Sequence, residues 1–129
     1  MNGKKWARYK NTASDAEPEY IDLNQFYKDI DYCAAYLGCY LSAPKDLDNL
    51  TFMTGSDDYE TVWINGKKLY TYEERRRAPA PDQDSIKSVS LKKGKNVIIV
   101  KVVDVVDRWG FYGRFTDEKG NPMKITDKP

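Results

Sequence analysis

The sequence predicts an all-β fold, a β-sandwich in one domain spanning residues 1–129. Three observations point to it. Short apolar-alternating segments recur along the chain, separated by polar, glycine-bearing turns. Asn65-Gly66 sits between two such segments, and this pair suits a type I′ turn, whose two central residues need positive φ. No long segment with a 3.6-residue apolar period competes with the strand pattern.

The elements follow in order. Trp6 and Tyr9 are the apolar marks of a polar N-terminal stretch, and Asp15-Ala16-Glu17-Pro18 reads as a loop. Glu19 to Leu23 alternates as a short strand, and Asn24 is placed to cap a brief helical turn carrying Phe26, Tyr27 and Ile30. Tyr32 to Leu41 is a strand with an aliphatic, small face (Cys33, Ala35, Leu37, Cys39, Leu41) and a tyrosine stripe (Tyr32, Tyr36, Tyr40), because strand side chains alternate between faces. Pro44 ends it.

Asn49 to Thr54 is the next strand, and Gly55-Ser56-Asp57-Asp58 is expected to turn the chain. Glu60 to Ile64 and Lys68 to Tyr72 form a hairpin across Asn65-Gly66. Glu73 to Asp84 is a long loop, a length at which loops tend to be functional or flexible. Ser85 to Leu91 is a strand, with a second hairpin expected across Lys92-Lys93-Gly94-Lys95. Asn96 to Val106 is nearly continuous in β-branched residues, which predicts a central strand buried on both faces. Trp109 to Thr116 closes the set, with Phe111, Gly113 and Phe115 on one face and Tyr112 and Arg114 on the other.

Composition narrows the function. Lysine and arginine number 21 against 20 acidic residues, so the net charge of +1 gives no electrostatic case for nucleic acid or an anionic membrane. No apolar run approaches the roughly 20 residues that span a bilayer, so membrane insertion is not expected. There is no histidine, which removes the Ser-His-Asp triad, the Cys-His dyad and histidine-based metal sites. Ten tyrosines against four phenylalanines suggest either half-exposed aromatic positions or simple strand propensity. Cys33 and Cys39 lie six residues apart in one strand, about 20 Å, too far for a disulfide. They are expected to be small buried hydrophobes. No apolar signal-peptide core follows Met1, which fits a cytosolic protein or a domain excised from a longer one.

Several segments together resemble the jelly-roll domains of the galactose-binding-like class, over residues ~30 to ~120. They are Ala35-Tyr36-Leu37, Gly55-Ser56-Asp57-Asp58, Val62-Trp63-Ile64-Asn65-Gly66-Lys67, Leu91-Lys92-Lys93-Gly94-Lys95-Asn96, and Trp109-Gly110-Phe111 with Arg114-Phe115. The resemblance implies a carbohydrate-binding accessory module of a bacterial polysaccharide-degrading protein. It implies an extracellular, cell-surface or periplasmic setting, with carbohydrate and the other domains of the parent protein as partners. Some such domains only pack against a catalytic neighbour.

Candidate ligand-binding residues are Tyr32, Tyr36, Tyr40, Asp57, Asp58, Trp109 and Arg114. Sugars present apolar C–H faces that stack on aromatic rings, so the tyrosine stripe is one candidate surface. Asp57, Asp58, Trp109 and Arg114 are expected at one end of the sandwich, where carboxylates accept from sugar hydroxyls and a guanidinium donates in a fork. For Asp57 and Trp109 a structural role, as a turn and as core, is the stronger expectation. No cofactor is expected. A structural calcium, common in the resembled class, has candidate ligands in Asp57, Asp58 and Glu60, or in Asp82 and Asp84. Arg75-Arg76-Arg77 offers an anion contact or a solvated run. No carboxylate pair marks a glycosidase, so the chain is not expected to be an enzyme. The expected function is non-catalytic carbohydrate binding. The alternative is a structural or interaction sandwich that packs on a neighbouring domain and binds no glycan.

Overall fold

A computed structural model describes residues 5–6, 20–27 and 30–123. Tyr9 and the Asp15–Pro18 loop fall outside the described residues. Eight strands are present among them: β1 (Tyr20–Asp22), β2 (Cys33–Ala43), β3 (Leu47–Asp57), β4 (Tyr59–Ile64), β5 (Lys67–Tyr72), β6 (Asp84–Leu91), β7 (Gly94–Asp104) and β8 (Gly110–Thr116). One 3₁₀ turn, Leu23–Gln25, follows β1. Its cap is Asp22, whose carboxylate accepts from the Asn24 N–H, two residues earlier than the sequence suggests.

The strands form two four-stranded antiparallel sheets. The first has order β1-β8-β3-β6, the second β2-β7-β4-β5. They pack as a sandwich around Phe52, Phe111 and Phe115 from the first sheet and Val62, Val100 and Val102 from the second. Phe52 stacks on Phe115, with ring centroids 4.5 Å apart. A core of this kind drives folding through removal of apolar surface from water.

The Asn65-Gly66 hairpin forms as predicted, with φ of 50° and 82°. The second predicted hairpin does not. β6 lies in the first sheet and β7 in the second, so Lys92-Lys93 carries the chain across the sandwich. Local turn chemistry is alike in both cases, and only burial of both apolar faces decides which strand the returning chain joins. The same holds at Asp57-Asp58. β3 extends to Asp57 in the first sheet and β4 starts at Tyr59 in the second, so the predicted turn is a corner between sheets.

β7 is central as expected, but its outward positions are half-buried rather than covered. The cysteines depart from expectation too. Cys33 is half-buried, Cys39 is exposed, and both are reduced. β2 is an edge strand, with a neighbour in its sheet on one side alone.

Candidate functional site

The outward face of the second sheet carries the aromatic surface. Register puts Tyr36 beside Lys101 and Thr61, Gly38 beside Ile99 and Trp63, and Tyr40 beside Val97. Tyr36 is 42% exposed and Tyr40 is 58% exposed. The Tyr36 and Trp63 rings lean together across β7, with centroids 6.3 Å apart and planes 32° apart. The Lys95 ammonium sits 3.9 Å over the Tyr40 ring, a cation–π contact. Trp6 comes against the same face, because Gly38 has no side chain to keep it away. A Cβ there would stand 3.3 Å from the Trp6 ring and 3.5 Å from Ile99. Tyr36 and Tyr40 are about 13 Å apart along the strand, with Trp63, Ile99 and Trp6 filling the space between.

Tyr32 is separate from this surface. It precedes β2 at φ 54°, so it leaves the alternation that would have aligned it with Tyr36. Its ring is strongly exposed, and its N–H donates to the Val105 carbonyl.

The predicted cluster of Asp57, Asp58, Trp109 and Arg114 does not assemble as one site. Trp109 is 1% exposed, gives its indole N–H to the Val102 carbonyl and packs on Tyr27. Its faces belong to the core, the structural role weighed for it. Arg114 points to the outer side of the first sheet and forms a two-pronged ion pair with Asp82. Asp57 and Asp58 are buried at the corner between sheets, together with Asp104 at the end of β7.

The three carboxylates lie within 4.8 Å of one another. Asp58 is held by two backbone donors, the N–H of Arg77 and the N–H of Val105. Burial and the adjacent Asp58 push the Asp57 carboxyl up to about 7. Burial and Asp58 push Asp104 up to about 6. Of the calcium sets suggested by sequence, Asp57 and Asp58 do meet, but Glu60 does not join them, and Asp82 and Asp84 each face an arginine. Glu60 points between the sheets, where Thr54 donates to it, and burial raises its carboxyl to about 7. Asp82 is taken by Arg114 and Asp84 by Arg77.

The 73–84 loop lies against the first sheet, not over the tyrosines. The Ala80 carbonyl occupies the space that a side chain at position 55 would need, so Gly55 is required there. Arg77 is drawn inward from the basic run. Its guanidinium bonds Asp84 and Ser56 and stacks 3.6 Å over the Tyr72 ring. Arg76 is half-exposed, with its Nε 3.9 Å from Asp58.

Trp63, Trp6 and Asp104 are the residues that sequence reasoning missed. Val62 and Ile64 lie in the core, and strand alternation then places Trp63 outward. Asp104, ending an apolar strand, carried a similar signal. Compared with protein-family profiles, curated proteins and solved structures, the chain matches none.

Proposed function

We propose that this chain is a non-catalytic carbohydrate-binding module of the jelly-roll, galactose-binding-like class, acting within a larger extracellular protein. The nested strand pairing supports the class: β1 with β8, β2 with β7, β3 with β6, β4 with β5. That nesting is what rolling up one long hairpin produces.

The observation that carries the function is the ring surface of Tyr36, Trp63 and Tyr40 on an outward sheet face, with Lys101 and Lys95 as flanking donors. Rings spaced along a strand suit the stacked faces of successive sugars in a chain. The buried acids support a non-catalytic role. Asp57, Asp58 and Asp104 are at most 5% exposed, and a glycosidic bond cannot reach them.

Affinity electrophoresis against plant, algal and host polysaccharides tests the reading. Wild-type protein is expected to be retarded by at least one of them. Tyr36→Ala, Tyr40→Ala and Trp63→Ala should each weaken binding about tenfold, the order expected for one aromatic contact. Absence of retardation by any polysaccharide would leave the interaction-domain reading ahead. Retardation unchanged in all three variants would place the ligand on another surface.

A further inference from the structure

We propose that Asp57, Asp58 and Asp104 bind a hard divalent cation of the calcium class, which clamps the two sheets together at the β3–β4 corner. Asp57 ends β3 in the first sheet, Asp58 is the corner residue, and Asp104 ends β7 in the second sheet. Their carboxylate oxygens lie within 4.8 Å of one another, close enough to share one ion.

Three clustered acids alone would not mark a site. Asp104 supplies the independent observation. It is 1% exposed, and neither of its carboxylate oxygens has a hydrogen-bond partner among the described residues. Buried polar groups are almost always satisfied, and a buried carboxylate is costly to leave without a counter-charge. The surrounding charge worsens the problem. Asp31 and Asp107 also act on Asp104; opposing them are Arg76, half-exposed and 3.9 Å from Asp58, and Arg108, which acts on Asp57. Arg77 is committed to Asp84. A dication answers this excess of negative charge at the point where it is greatest.

Ligand chemistry sets the class. The donors are carboxylate oxygens alone, with no histidine in the chain and no cysteine in the group, which favours calcium or magnesium over zinc or copper. Asp58 is already oriented by the Arg77 and Val105 N–H groups, so it needs little reordering to coordinate. Because the ligands come from both sheets, binding stabilises the folded state alone.

Equilibrium dialysis and thermal unfolding of the chelator-stripped protein in calcium chloride, with magnesium chloride alongside, test this. One calcium per chain is expected. The Tm should rise by roughly 10 °C once free calcium is about a hundred times Kd. Asp104→Asn should abolish both the binding and the shift. It should not lower the Tm of the metal-free protein, since it removes a buried orphan charge while keeping the shape. Asp57→Asn provides the same test at a second ligand. No saturable binding by the wild-type protein, or binding retained in Asp104→Asn, would overturn the proposal. Neither outcome bears on the glycan reading, whose variants lie on the outer face of the second sheet.

Discussion

Arg77 shows how one side chain can decide the state of a whole loop. Its guanidinium ties the 73–84 loop to β3 through Ser56, to β6 through Asp84 and to β5 through the Tyr72 ring. A planar fork can make these contacts together, which a lysine ammonium cannot. Burial alone would raise the Asp84 carboxyl, but the Arg77 hydrogen bonds hold it below the usual carboxylate range. A carboxyl whose pKa is depressed on folding stabilises the folded state above its unfolded pKa of about 4. That contribution disappears as pH falls through the folded value. Asp84→Asn should therefore be less stable than wild type near neutral pH, by about 2–3 kcal/mol, since it leaves Arg77 without its main partner. The difference should shrink as urea denaturation is repeated at decreasing pH below about 4. A constant difference down to acid pH would mean the ion pair contributes nothing through charge.

At the scale of elements, the β4–β5 hairpin was readable because its signal is local. Asn65 and Gly66 both take positive φ, and Asn65 also bridges to β7 by accepting from the Val97 N–H and donating to Asn96. Gly66→Val should cost about 1–2 kcal/mol, because nothing crowds a Cβ at that position and the loss comes from backbone conformation alone. A urea midpoint for Gly66→Val equal to that of wild type would show that the turn relaxes to another type. The two sheet crossings were not readable. Lys92-Lys93-Gly94 and Ser56-Asp57-Asp58 have the residues of a hairpin turn, and only the choice of sheet by β7 and β4 makes them crossings. That choice depends on residues far away in sequence. The tyrosine face followed from period-2 alternation at Tyr36 and Tyr40. Tyr32 escaped it because a positive φ breaks the period just before β2. Asp104 interrupts an apolar run in the sequence, but its meeting with Asp57 and Asp58 is a tertiary fact.

At the scale of the molecule, the two sheets divide the work. The first is covered on its outer side, where the 73–84 loop lies at Gly55, Arg114 pairs with Asp82 and Tyr20 packs on Tyr112 at 4.9 Å. The second presents Tyr36, Tyr40 and Trp63 outward. Stability should therefore reside in the interior and binding on that one face, so that substitutions separate the two. Tyr40→Ala removes a ring that is 58% exposed and should change unfolding free energy by no more than about 1 kcal/mol, while weakening polysaccharide binding. Trp109→Ala removes a ring that is 1% exposed and should cost about 3–5 kcal/mol. Whatever Trp109→Ala protein remains folded should still bind polysaccharide with near wild-type affinity. Urea midpoints and affinity electrophoresis on the same two preparations measure both quantities. If Tyr40→Ala instead lowers stability as much as Trp109→Ala, the tyrosine is held by a covering segment, and the outer face is packed rather than open to a glycan.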